Sequence, residues 1–114
     1  MLTLNEAKSY LRVDSDFEDG LIASLILSAE TLCMDVARLT KDEWDAISTF
    51  TPDNPEIPNI RGKGKKEILQ MSELLRVGAF YTLGYLYEHR EEADHHDLTL
   101  TLRNLLFSIR EGVL

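Results

Sequence analysis

Apolar residues recur at helical spacing in every periodic stretch of this chain. Leu4, Ala7, Lys8 and Leu11 fall at i, i+3, i+4 and i+7, behind a T-x-x-E capping box made by Thr3 and Glu6. The pattern predicts a first helix of about eight residues, too short to persist in water unless it docks on something. Arg12 and Val13 then link to Asp14-Ser-Asp16, a cluster of candidate N-caps, with Glu18 and Asp19 set to complement the positive end of the next helix dipole. That helix is predicted from Phe17 to about Arg38. Ile22, Leu25, Ala29, Leu32, Cys33 and Val36 mark one face of it, and Leu21, Ile26 and Leu27 widen the face beyond a single stripe. A helix so broadly apolar is central to the fold or buried on two sides, and a neighbouring subunit can supply the second side.

Thr40 and Glu43 repeat the capping box and open a short helix through Trp44 and Ile47. Between Thr51 and Lys66 lie all 3 prolines of the chain and Gly62 and Gly64, so this segment is predicted to be a loop. The longest helix follows, from Glu67 to about Glu92, with Ile68, Met71, Leu75, Ala79, Thr82, Leu83 and Leu86 in register. Gly78 and Gly84 each cost about 1 kcal/mol against alanine inside a helix, which points to close helix–helix approach as the compensation. After a charged break from Glu91 to Asp97, a final helix is predicted from Leu98 to Arg110, with Leu102, Leu105, Leu106 and Ile109 on its apolar face. Leu98 to Leu102 alternates briefly but runs straight into that helical period. The expected fold is all-α, a compact bundle of four to five helices in one domain over residues 1–114, with a flexible loop at 51–66 between the third and fourth.

Composition adds limits. At 114 residues with 44% apolar content the chain can build one core. Its single cysteine, Cys33, permits no internal disulfide, and no apolar run approaches the roughly 20 residues of a membrane span. A soluble protein, made in a reducing cytoplasm with no membrane partner, is expected. Charge is uneven: residues 1–59 hold 12 acids against 4 bases, and residues 61–114 hold 8 of each. A net charge of −8 argues against generic binding to phosphate backbones and suits a soluble monomer or a basic partner.

Candidate chemistry is sparse. His89, Glu92, His95, His96 and Asp97 cluster in sequence, but they match no zinc spacing, and a solvated acidic helix end accounts for them. Cys33 lies on an apolar helix face with no polar partner nearby in sequence, so a buried inert thiol is expected. Arg61-Gly-Lys63-Gly-Lys65-Lys66 lacks the spacing and the preceding strand of a phosphate-binding loop. It reads as a mobile basic loop, with an acidic surface on another subunit as its best functional partner. Tyr81, Tyr85, Tyr87 and Phe80 ring the fourth helix, and those not needed in the core suit an interface. No catalytic, cofactor-binding or metal set emerges, and no enzyme activity is expected.

Two stretches carry a family resemblance. Leu4-Asn-Glu-Ala-Lys8-Ser-Tyr-Leu11-Arg12-Val13-Asp14, followed by Glu18-Asp19 and Leu21-Ile22, resembles the N-terminus of the small head–tail connector (adaptor) proteins of long-tailed bacteriophages. Tyr87-Glu88-His89-Arg90-Glu91 resembles that family's helix end. The resemblance covers Leu2 to about Leu39 and Ile68 to Arg110, and the segment from Thr40 to Lys66 departs from it. It implies a helical subunit of a ring of about twelve copies, with no cofactor. The ring would join the portal of the DNA-filled head to the tail or its stopper, and DNA would pass through without sequence-specific binding. Localisation would be the head–tail junction of the virion, after assembly in the host cytoplasm. Arg12, Asp14, Glu18, Tyr87 and Arg90, at motif positions, and Arg61, Lys63, Lys65 and Lys66, in the basic loop, are the interface candidates. The rival reading is a small acidic regulatory module that binds a protein partner as a monomer or dimer.

Overall fold

The computed structural model describes residues 1–91 and 94–113. Among them are six helices and no strand: α1 (Leu4–Leu11), α2 (Asp19–Val36), α3 (Lys41–Thr49), α4 (Lys65–Glu88), α5 (His96–Leu105) and α6 (Phe107–Arg110). The fold is all-α, as the periodicity indicates. The predicted last helix is divided at Leu106, where the backbone opens to φ −99° and ψ 14°.

Both capping boxes form. Thr3 accepts from the Glu6 amide at 3.1 Å while the Glu6 carboxylate accepts from the Thr3 amide, and Thr40 and Glu43 repeat the exchange. The start of α2 differs from expectation. None of Asp14, Ser15 or Asp16 caps it; Glu18 holds the cap position without a side-chain bond to the helix. The carboxylates are drawn elsewhere, Asp16 and Asp19 to Lys8 at 2.9 Å and Glu18 to Tyr87. Three helix ends close in the same way. The amide two residues past α1 bonds back to Lys8, that of Leu39 to Met34, and that of Val113 to Ser108, each across a left-handed residue: Arg12, Arg38 and Gly112.

α4 lies at the centre, packed along α2 and flanked by α1, α3 and α5. Its buried face is Ile68, Met71, Leu75, Gly78, Ala79, Thr82 and Leu83, close to the predicted set, with Leu86 only half-buried. On α2 the buried residues are Ile22, Ile26, Ala29, Cys33 and Val36. Leu25 and Leu32 are half-buried, and Leu27 is 69% exposed, so within the single chain this helix buries one side. Neighbouring side chains pack against both glycines of α4. A methyl group on Gly78 would sit 3.5 Å from the Cys33 sulfur and from Leu106, whereas one on Gly84 would sit 3.1 Å from the Tyr10 ring. No single helix among the described residues is long and apolar enough to cross a membrane.

The segment between α3 and α4 is tied at both ends by buried Phe50 and Ile60. Residues 60–63 form a tight turn with φ of 53° at Arg61 and 71° at Gly62, closed by the Lys63 amide on the Ile60 carbonyl at 2.9 Å.

Candidate assembly surface

The two stretches singled out in the sequence meet in space. The Tyr87 hydroxyl donates to Glu18 Oε1 at 2.9 Å, and Arg90 reaches Glu18 Oε2 at 4.0 Å while lying over the Tyr87 ring at 4.8 Å. The phenol is held above its ordinary pKa, chiefly by that bond to the Glu18 carboxylate. Lys8 joins from α1 through Asp16 and Asp19, which raises its own pKa, Asp16 contributing most. The start of α2 is thereby locked to the end of α4.

Beside this joint an open cleft of about 720 Å³ runs between α1 and α4, lined among others by Tyr10, Arg12, Tyr81, Gly84 and Tyr87. Gly84 makes it possible, because the Tyr10 ring lies against α4 where a side chain would otherwise stand. Tyr10 also packs on Phe80 at 4.9 Å. Arg12 is exposed, and among the described residues its side chain makes no ion pair or hydrogen bond; what it contributes to the fold is its left-handed backbone. Aromatic rings with an unengaged arginine in a concave surface are the composition of protein-binding surfaces.

The basic loop divides. Arg61 turns inward: its guanidinium grips Glu43 with Nε at 2.9 Å and Nη2 at 3.2 Å, and also donates to the carbonyls of Arg38 and Ile109. Glu43 is held below its ordinary pKa, first by Arg61. Lys63 reaches the Gly112 carbonyl at 3.4 Å. Lys65 and Lys66 point out from the first turn of α4 beside half-buried Leu69 and Leu74, rimming a shallow trough of about 840 Å³ with Gln70 and Glu73. Asp14 is exposed on the linker between α1 and α2. Phe17 follows it at 98% exposure, a residue that periodicity had placed inside the helix and that no motif flagged.

The histidine-rich end of α4 is built by stacking. His89 lies on Tyr85 at 4.1 Å with its Nδ1 at 2.9 Å from the Tyr85 carbonyl, and His95 meets the same ring edge-on at 5.7 Å. Among the described residues no group of three His, Cys, Asp or Glu converges on a point; Glu92 lies outside them. Cys33 is buried with its sulfur 3.7 Å from the Thr82 hydroxyl, and burial pushes its pKa up to about 11, so the thiol stays protonated at neutral pH.

Comparison with known families gives the chain its setting. The family model for phage gp6-like head–tail connector proteins matches residues 1–70, more than half of the 114-residue chain. The chain belongs to that family. The connector chain is therefore a phage structural protein of the virion. The match includes α1, α2, α3 and the segment from Thr40 to Lys66, which had looked like a departure, and it stops before the Tyr87–Glu91 stretch. That stretch touches the matched region through the Tyr87–Glu18 hydrogen bond. No match was found among curated proteins or solved structures.

Proposed function

We propose that this connector chain is the subunit of an oligomeric ring that joins the portal of the DNA-filled head to the tail and extends the DNA channel. The work is mechanical: rigid helical subunits associate side by side and dock between two larger assemblies. Family membership supports the setting, and the tyrosine- and arginine-lined cleft beside the Glu18–Tyr87–Arg90 joint is the observation that carries the reading. It offers another protein aromatic area and an unengaged guanidinium, held on a braced corner of the fold. About twelve copies, contact with portal on one side and with a tail or stopper protein on the other, and assembly in the host cytoplasm belong to this proposal. The acidic surface of the subunit suits a channel through which DNA slides without sticking.

Deleting the gene from its phage tests the placement. DNA-filled heads and free tails, unjoined in electron micrographs, are expected. Complete tailed particles from the deletion would overturn it.

A further inference from the structure

Two unpartnered surface features lie at opposite ends of α4. One is Phe17, 98% exposed at the tip of the α1–α2 linker, with Asp14 and Asp16 beside it; the Asp16 side chain stays 90% exposed although it pairs with Lys8. The other is the shallow trough at the start of α4, floored by Leu69 and Leu74 and rimmed by Lys65, Lys66, Gln70 and Glu73. The linker meets the far end of α4 through Glu18 and Tyr87, about 30 Å along the helix from Lys66 at 1.5 Å per residue. The longest dimension of the subunit is 42 Å. A chain's own Phe17 therefore cannot fill its own trough.

We infer that Phe17 of one copy seats in the Leu69–Leu74 trough of a second copy, with Asp14 and Asp16 facing Lys65 and Lys66. The pairing is complementary in apolar character and in charge. An isolated aromatic knob flanked by acids meets an apolar floor with two cations against one anion on its rim. Each partner surface is costly alone, since water must cover Phe17 entirely and Leu69 and Leu74 in part. Because the knob and the trough are different surfaces, every subunit offers one of each, which is what a cyclic assembly requires. This contact rests on the ring reading and specifies how neighbouring subunits join.

Two experiments on the full-length chain test it, with the portal protein of the same phage added to promote assembly. In the first, Phe17→Cys and Gln70→Cys chains carrying different tags are mixed and mildly oxidised; the buried Cys33 does not compete. A cross-linked dimer containing one of each chain is expected, well above the yield from Phe17→Cys with Leu100→Cys, whose partner is an exposed apolar residue on α5. Equal yields from the two mixtures would overturn the contact. In the second, Phe17→Ala should keep the wild-type melting temperature and raise the concentration for half-assembly at least about tenfold. If wild type forms rings and Phe17→Ala forms them equally well, the contact falls while the ring reading stands. If wild type forms no oligomer even with portal, the ring reading fails and the contact fails with it.

Discussion

Arg61 holds three parts of the chain together through one guanidinium. It grips Glu43 at the start of α3, covers the Arg38 carbonyl past the end of α2, and touches the Ile109 carbonyl in α6. Arg110 seals the same end of α2 by donating to Val36 at 3.0 Å. Removing Arg61 leaves these acceptors to water, so Arg61→Ala should cost about 1–3 kcal/mol in denaturant unfolding. The pH dependence has a definite sign. The Glu43 carboxyl titrates lower in the folded chain than its ordinary value near 4.5, so its ion pair stabilises above that pH and is lost as pH falls through the depressed folded value. Wild type and Arg61→Ala should therefore differ most near neutral pH and converge in acid; a gap that stays constant would mean the arginine acts only through the carbonyls. Arg12 shows the opposite balance. It holds a left-handed backbone at φ 60° with a side chain that braces nothing, a conformation costing about 1 kcal/mol or more outside glycine. Arg12→Gly should stabilise the monomer by about 0.5–1 kcal/mol and weaken assembly if the guanidinium serves a partner. A variant that is more stable and assembles normally would remove Arg12 from the interface.

At the scale of elements, much was legible because it is local. Capping boxes satisfy helix-end amides with residues three apart, so α1 and α3 could be placed from Thr3, Glu6, Thr40 and Glu43 alone. The buried face of α4 followed from its period. What the sequence hid depends on contacts made outside each helix. Asp16 could not be excluded as a cap without knowing that Lys8 would reach it, and Arg61 resembled its lysine neighbours until α2, α3 and α6 gathered around it. Phe17 reads as the first residue of α2, which begins at Asp19, because period alone does not locate where a helix starts. On α2 the broad apolar face left open which residues point inward. The structure buries Ile22 fully and Leu25 only in part. Ile22→Ala should therefore cost about 2–5 kcal/mol, and Leu25→Ala clearly less. Equal losses in thermal or denaturant unfolding would place Leu25 in the core as well.

At the scale of the whole molecule, the subunit is a flattened body of 42 × 30 × 19 Å built around one long helix. The joint of Glu18, Tyr87 and Arg90 fixes one end of α4, and the Lys65–Lys66 turn marks the other. A body of this kind can meet different neighbours at its two ends without changing shape. Its net charge of −8 keeps free copies apart, so assembly should depend on a template and on salt. The most direct test is light scattering on a sizing column across a concentration series, run with and without the portal protein. Ring assembly predicts a ring-sized species, or a stable complex that appears only when portal is present. A monomer or dimer indifferent to both concentration and portal would contradict it.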